Sequence, residues 1–238
     1  MMKDAYKLLK HQWFTSWIAL MFSFAFFGLY GAVSGFFTNE WLREYNTGAM
    51  VFPDITILCF MSSIGFFFSK AYLNPYWRTD TFTKNLATLR ALPISTKTLA
   101  ASRILQILIM APLNAGVFFT AFYVCSSWAR EFHFITFVSF VLVWLFFGII
   151  CSAFLILLEW GTSGKMYMLG TVIVILLLLA ASILYHGLLK SSIIVGLTDM
   201  LQTSFGWLLP VFMIILAAAA LRGTYHRLQY IMTHRDIA

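Results

Sequence analysis

Charged residues are scarce in this chain. Asp, Glu, Lys and Arg together make up 11% of the 238 residues, and hydrophobic residues make up 61%, whereas roughly a quarter of the residues in a soluble globular domain are charged. Long polar segments are missing as well. The longest gap between apolar runs, about 70–103, has roughly 30 residues, and folded domains have about 50–250. We therefore expect no soluble domain in this sequence, and in particular no nucleotide-binding domain.

Catalytic and metal-binding motifs are also lacking. A phosphate-binding loop needs Gly-Lys followed by Ser or Thr, but Gly164-Lys165 is followed by Met166, and Glu159 stands where the first glycine belongs. No histidine lies in a His-Glu-x-x-His motif, and no Cys/His group has zinc spacing. The three cysteines give no disulfide framework. We predict that the chain is not an enzyme and has no catalytic, cofactor-binding or metal-binding residue.

Six long apolar runs occupy most of the sequence. Each has about the 20 residues that a helix needs to cross about 30 Å of hydrocarbon. Runs of this length without alternation exclude a barrel, so a helical bundle is the structure that satisfies the backbone in lipid. We predict an all-α, polytopic membrane protein whose single domain covers 1–238. The six spans are expected at about 17–37, 49–73, 104–125, 134–158, 166–189 and 204–222.

Basic residues are distributed unevenly between the gaps. The N-terminal segment, the second gap, the fourth gap and the C-terminal tail hold 13 of the 16 Lys and Arg residues, and the other gaps hold only Arg43, Arg130 and Lys190. Because basic residues accumulate in cytoplasmic loops, both termini are predicted to be cytoplasmic in a multi-pass protein of the cell membrane. The basic residues are spread along a membrane face, which argues against a nucleic-acid partner.

The N-terminal segment 3–16 has the pattern of an amphipathic helix. Basic residues recur every three or four positions (Lys3, Lys7, Lys10, His11), and a second face carries Tyr6, Leu9, Trp13 and Trp17. This pattern suits an interfacial helix that binds lipid at the anionic inner leaflet. The alternative is a positively flanked leader into the first span, with the tryptophans in the aromatic belt. We favour the interfacial helix, because the pattern starts over two turns before the apolar run.

A second amphipathic helix is predicted at 81–92, between the second and third spans. Thr79 and Asp80 can cap its start, and Pro93 ends it. Ser95 or Thr96 can then cap the helix that leads into the third span. One face of 81–92 is apolar, whereas the other carries Lys84, Asn85, Thr88 and Arg90. The helix is therefore expected on the cytoplasmic side, either as a docking element or as a simple cover of the bundle.

These residues resemble a known family. The run Leu-Arg-Ala-Leu-Pro-Ile-Ser at 89–95, followed by Leu99 and Ser102-Arg103 before a span, is similar to the loop after the second span of type 2 ABC permeases, the membrane subunits of bacterial ABC exporters. The layout of six spans, an N-terminal interfacial helix and both ends inside is similar as well. One departure is the segment 190–203, where the family commonly has small re-entrant helices and where we expect at most one or two turns.

The resemblance implies half of a transporter. Two such permeases would pair, as identical or homologous copies, and a separate ATP-binding subunit would carry ATP and Mg²⁺ and dock on 81–92, called the coupling helix in that family. On this chain the leading contact residues would be Lys84, Asn85, Thr88 and Arg90. Because the spans are largely apolar, with 25 phenylalanines in the chain, we expect an amphipathic or hydrophobic cargo.

Two polar residues inside the spans are candidates for the substrate path, namely Asp54 and Asn114. Asp54, near the outer end of the second span, either lines an outer vestibule or reaches the lipid headgroups. Other functions stay open: a secondary transporter that uses Asp54 or Glu159 as ion carrier, or a membrane sensor or immunity protein. An intramembrane enzyme is disfavoured, because the serines in the spans have no evident base.

Overall fold

The computed structural model describes residues 2–43, 51–66, 80–91 and 93–234, and for 41–43, 51–52, 81, 85, 90 and 91 it describes the backbone alone. Within these ranges the fold is all-helical and contains no strand, as the sequence predicts. In chain order the helices are α1 Met2–Thr15, α2 Trp17–Arg43, α3 Val51–Met61, α4 Thr81–Ala91, α5 Thr96–Cys125, α6 Ser127–Arg130, α7 Phe134–Gly161, α8 Gly164–Leu189, α9 Ile193–Gln202 and α10 Leu208–His234.

Among the described residues, five helices are long and apolar enough to cross a membrane, namely α2, α5, α7, α8 and α10, with mean hydropathies between 1.7 and 2.9 in their most apolar windows. They coincide with five of the six predicted spans. The remaining prediction, 49–73, begins with α3, which ends at Met61. The second half of that span lies partly outside the described residues.

The tightest helix contact joins α2 to α5. A Cβ atom at Gly31 would collide with the backbone carbonyl of Phe118, and one at Gly35 would lie 2.7 Å from the carbonyl oxygen of Phe122. The two glycines are four residues apart, so they face α5 on consecutive turns. This spacing of small residues lets helices approach closely in lipid, and it explains why α2 sits directly on α5.

The bundle has two distinct ends. At one end Asp80 contacts Gly164 and Arg103 lies over Trp160, and we call it the basic end. At the other end the side chain of Asn39 donates a hydrogen bond to the carbonyl oxygen of Cys125 and accepts one from the backbone N–H of Trp128. We call this the opposite end. The long helices run between the two ends, as expected for antiparallel spans joined by short turns.

Helix α1 packs along α5 at its basic end. Ala5 and Leu9 are buried there. The four basic residues of the predicted stripe, Lys3, Lys7, Lys10 and His11, are exposed. Tyr6 and Trp17 are exposed too, so the second face predicted from the sequence is divided between a buried contact at Leu9 and a free aromatic surface. The exposed part therefore combines positive charge with aromatic rings.

The segment 190–203 forms more structure than the sequence suggested. We expected at most one or two turns, but α9 has ten residues, which is close to three turns. The Ser192 hydroxyl accepts a hydrogen bond from the backbone N–H of Ile194 and starts the helix. Ile194, Thr198 and Leu201 then recur on one buried face. The prediction was wrong because it rested on the shortness of the segment. It did not take into account the Ser192 cap or the spacing of the buried residues on α9.

Candidate functional site

The second predicted span is interrupted near the middle of the bundle. Helix α3 starts at the opposite end and has 11 residues, so at 1.5 Å per residue it is about 16 Å long, roughly half of a hydrocarbon core. Residues 62–65 then form a turn, and Phe66 has no regular structure. Such a break leaves backbone groups without helical partners, which lipid cannot satisfy.

Asn114, on the neighbouring helix α5, supplies partners for this break. Its side-chain amide nitrogen donates hydrogen bonds to the carbonyl oxygens of Ile64, at 2.8 Å, and Phe66, at 2.9 Å. The side chain is fully buried. Within the described part of the chain, its Oδ1 atom has no donor. Asn114, predicted for the substrate path, therefore holds the non-helical backbone in place, and a role toward substrate stays a prediction.

Ser152, on α7, supports the break from the other side. Its hydroxyl accepts a hydrogen bond of 3.0 Å from the backbone N–H of Gly65 and lies 3.4 Å from the carbonyl oxygen of Ser62. A Cβ atom at Gly65 would lie 2.7 Å from this hydroxyl, so the contact requires glycine. The sequence shows Ser152 as one serine among apolar residues, and nothing in its neighbourhood predicts the contact with Gly65.

A cavity of about 270 Å³ lies beside the break. Residues of α2, of α3 and the following turn, of α7 and of α8 line it. Its described lining residues are aromatic, aliphatic or hydroxyl-bearing, and none of them is charged: Phe26, Phe27, Cys59, Phe60, Ser62, Ser63, Phe66, Leu155, Tyr167, Thr171, Val174 and Ile175. Neither Asp54 nor Asn114 is among them. The cavity is therefore a largely apolar space with a few polar atoms, the usual composition of a small-molecule site.

Asp54 lies at the opposite end, where it caps α9. Its Oδ1 accepts hydrogen bonds from the Ser192 hydroxyl at 2.6 Å and the backbone N–H of Ile194 at 3.1 Å. Its Oδ2 accepts one from the backbone N–H of Ile193 at 2.7 Å. A carboxylate at a helix N-terminus is favourable, because the first N–H groups and the helix dipole point at it. Its side chain is fully buried, so the carboxylate does not extend to the headgroups as one of the two expectations had it.

At the basic end, α4 lies where the sequence predicted a helix over 81–92. Phe82 and Leu86 are buried, and the ring of Phe82 meets that of Tyr167 edge to face at 4.9 Å. Lys84 and Thr88 are exposed on the other side. Of the predicted contact residues, the side chains of Asn85 and Arg90 lie outside the described residues. Helix α4 is thus fixed by its apolar side and presents a polar side.

Two further hydrogen bonds lie just before and just after α4 in the chain. Asp80, directly before α4, accepts a hydrogen bond of 2.8 Å from the backbone N–H of Gly164, the first residue of α8. After α4, the Ser95 hydroxyl accepts one of 3.2 Å from the backbone N–H of Thr98 and caps α5. Of the two caps that the sequence allowed for α5, Ser95 is the one used. The Asp80 side chain therefore caps the start of α8. The sequence indicated it only as a cap for α4.

A buried arginine completes the basic end. The Arg103 guanidinium lies 5.0 Å from the centre of the Trp160 ring, and it donates a hydrogen bond of 2.8 Å to the side chain of Gln106. Arg103 and Glu159, which precedes Trp160 in the chain, are both less than one-tenth exposed. Stacking on an indole ring stabilises a buried guanidinium and offsets part of the cost of removing it from water. The basic residue that enters the third span therefore packs inside the bundle.

The described residues contain no disulfide and no metal-binding cluster. Cys59, Cys125 and Cys151 are free. Among the described ranges, no group of three His, Cys, Asp or Glu side chains is placed to hold a metal ion. Asp54 binds the Ser192 hydroxyl and two backbone N–H groups, whereas Asn114 and Ser152 bind backbone groups.

No model of a known protein family, no curated protein and no solved structure matches this chain. In the part of the chain that the structure describes, the fold is that of an all-helical protein with five helices suited to crossing a membrane. Its function is therefore inferred from its own residues.

Proposed function

We propose that this chain is the membrane-spanning permease subunit of an ATP-driven ABC exporter. In this proposal α3 and the residues after it complete a sixth span, and the protein is a multi-pass component of a bacterial plasma membrane. The basic end and both termini face the cytoplasm, in keeping with the distribution of Lys and Arg. A separate subunit binds ATP and Mg²⁺, and a second copy of this permease or a homologue completes the pathway.

Helix α4 is the single observation that carries the proposal. It is a short helix suspended at the basic end between α3 and α5, with Phe82 and Leu86 as anchors and Lys84 and Thr88 exposed. A cover of the bundle needs only the apolar side. A docking element needs, in addition, a fixed polar side that another protein can reach, and α4 has one.

The attachments of α4 support a coupling role. Asp80 connects its start to the first residue of α8, and Phe82 packs on Tyr167 one turn further along α8. Ser95 caps α5, the next helix along the chain. A displacement imposed on α4 by an ATPase would therefore be transmitted to the basic end of α8 through Asp80 and Phe82. Alternating access needs rigid-body movement of this kind.

The proposed cargo is an amphipathic or hydrophobic molecule, such as a peptide, a lipid-like molecule or a drug, moved outward. The cavity beside the break is walled mostly by aromatic and aliphatic side chains, and no described lining residue is charged. A small inorganic ion or a sugar would need closely placed polar ligands to replace its water. The chemistry of the cavity therefore favours cargo that also partitions into lipid.

The proposal is tested by co-purification. The tagged chain is co-expressed with each ATPase encoded in adjoining reading frames, and one ATPase is expected to co-purify at two ATPase subunits per permease dimer. Lys84→Glu is expected to weaken this association, because it reverses a charge on the exposed side of α4. Lys165→Glu is the matched control, since Lys165 is exposed at the same end but lies on α8. Equal binding by both variants would remove α4 from the docking site.

A secondary transporter is the second candidate, and the break after α3 is the observation that favours it. Discontinuous helices line the substrate sites of many secondary transporters. Asp54, however, already binds three donors at the start of α9, which leaves it poorly placed as an ion carrier. Transport in vesicles that contain this chain alone, driven by an ion gradient without ATP, would favour this candidate over the exporter.

A further inference from the structure

The cavity beside the broken helix has a specific hydrogen-bonding character. The Ser62 hydroxyl donates a hydrogen bond of 2.7 Å to the carbonyl oxygen of Cys59. The Ser63 hydroxyl donates one of 3.1 Å to the carbonyl oxygen of Phe60. On the facing helix, the Thr171 hydroxyl donates to the carbonyl oxygen of Tyr167 at 2.9 Å. A hydroxyl has one proton and two lone pairs. All three hydroxyls therefore use their one proton in a hydrogen bond to a backbone carbonyl oxygen. Their oxygen atoms can still accept a hydrogen bond from a bound molecule.

The walls of the cavity are rich in aromatic rings. Phe26 and Phe27 stand on α2, Phe60 on α3 and Tyr167 on α8. Phe26 and Phe60 already meet nearly edge to face, with their centroids 5.9 Å apart. Aromatic rings pack best against other rings in offset or edge-to-face contacts. A flat aromatic occupant is therefore better matched to these walls than a flexible chain.

Size sets a further limit. An apolar cavity of about 150 Å³ holds a benzene molecule, and this cavity has about 270 Å³. The space therefore fits roughly two fused rings. None of the described lining residues is charged, and a charge buried without a partner is strongly unfavourable, so these residues favour a neutral occupant.

We propose that this cavity binds a neutral, flat molecule of about two aromatic rings that carries one hydrogen-bond donor. Its rings lie among Phe26, Phe27, Phe60 and Tyr167, and its donor reaches the lone pairs of Ser62, Ser63 or Thr171. The site belongs to one copy of this chain, and it does not depend on an ATPase partner or on transport.

Cys59 provides a reporter, because its thiol lies in the cavity lining. In a Cys125→Ser, Cys151→Ser variant held in phosphatidylcholine nanodiscs, the rate of Cys59 alkylation by N-ethylmaleimide is measured with added 2-naphthol. At about ten times the Kd only one site in about ten stays open, so the rate is expected to fall about tenfold. A variant that retains only Cys125 shows whether 2-naphthol merely consumes or excludes the reagent, since Cys125 does not line this cavity.

Two comparison compounds define the chemistry. 2-Methoxynaphthalene lacks the donor and is expected to protect Cys59 less than 2-naphthol does. Decanol has a donor but no ring and is expected to protect less again. Equal protection by 2-methoxynaphthalene would overturn the assignment of the three hydroxyls as acceptors. Better protection by decanol, or a Cys59 that becomes reactive only after the lipid is removed, would show an acyl-chain site and overturn the proposal.

A cavity-filling variant completes the test. Val174→Phe places a ring in the space from α8, and protection of Cys59 by 2-naphthol is expected to be lost. Leu176→Phe is the matched control, because Leu176 lies on the same helix but is exposed, and protection is expected to persist. If Val174→Phe misfolds, Thr171→Val offers a second route: it keeps the volume and removes an acceptor, so the preference for 2-naphthol over 2-methoxynaphthalene should shrink. An unchanged preference in Thr171→Val, with full protection in Val174→Phe, would place the ligand elsewhere.

Discussion

The carboxylate of Asp54 lies 2.6 Å from the hydroxyl of Ser192, although 138 positions separate the two residues in the chain. The contact anchors the start of α9 to the start of α3. A parallel contact exists at the basic end, where Asp80 binds the first backbone N–H of α8. Each carboxylate uses the N-terminus of a distant helix as its partner. Asp54, a sequence candidate for the substrate path, and Asp80, a sequence candidate for capping α4, thus both fix the bundle.

Asp54→Asn is expected to destabilise the protein. An Asn side chain has one acceptor oxygen, so its amide nitrogen would face at least one of the three donors that Asp54 now binds. Leaving a buried donor unpaired costs about 1–3 kcal/mol, which corresponds to a fall of roughly 2–4 °C in melting temperature per kcal/mol for a chain of this size. Thermal unfolding in detergent and hydrogen exchange of the α9 amides measure the effect.

Asp199→Asn is the matched control, because Asp199 is an exposed carboxylate on the same helix. Its melting temperature should match that of the unaltered chain. If both variants are equally stable and α9 exchanges no faster in Asp54→Asn, the cap contributes nothing and Asp54 is free for a role toward cargo.

Asn114→Leu tests the support of the broken helix. The substitution leaves the carbonyl oxygens of Ile64 and Phe66 without their side-chain donor, at an expected cost of about 1–3 kcal/mol for each buried group. Asn114→Asp should also destabilise, since an ionised carboxylate only accepts hydrogen bonds. Thr120→Val, on an exposed position of α5, should be neutral. Melting curves that do not separate Asn114→Leu from Thr120→Val would contradict this role.

The two helical glycines Gly31 and Gly116 make an internally controlled pair for packing. A Cβ atom at Gly31 meets the backbone of Phe118, whereas one at Gly116 meets nothing within 4 Å. Gly31→Ala is expected to separate α2 from α5 and to cost about 1–3 kcal/mol. Gly116→Ala should be neutral or stabilise by up to about 1 kcal/mol, because alanine loses less entropy in a helix. A lower melting temperature in Gly116→Ala than in Gly31→Ala would refute the close contact.

Features that depend on residues close together in the sequence could be predicted, whereas features that depend on contacts between distant residues could not. Apolar run length and amphipathic spacing are local properties, and they sufficed to place five long helices and α4. The Ser95 cap was also local. The break after Met61 was not, because its partners Asn114 and Ser152 lie about 50 and 87 residues further along the chain. Asp54 was recognised as unusual, but its partner at Ser192 depends on how α9 packs.

Charge reversal on α4 is expected to uncouple transport. Arg90→Glu combined with Lys84→Glu should lower cargo-stimulated ATP hydrolysis to the level of the ATPase alone, because the proposed contact depends on the polar side of α4. Lys84 is exposed, and surface substitutions usually change stability by less than about 0.5 kcal/mol, so a permease with Lys84→Glu should stay folded. Lys165→Glu serves as the control at the same end. Normal stimulation in the double variant would remove α4 from the coupling route.

Membrane orientation can be tested independently of any partner. The basic bias places Arg43, Arg130 and Lys190 on the outer side and Lys84 on the inner side. Single cysteines introduced at these four positions, in a chain without its native cysteines, are treated in intact cells with a thiol reagent that cannot cross the membrane. The first three should be labelled, and the cysteine at position 84 only after the cells are opened. Labelling of position 84 in intact cells would invert the orientation and place α4 out of reach of a cytoplasmic ATPase. The exporter proposal would then fail, whereas the cavity beside the broken helix would be unaffected, because its contacts lie within one chain.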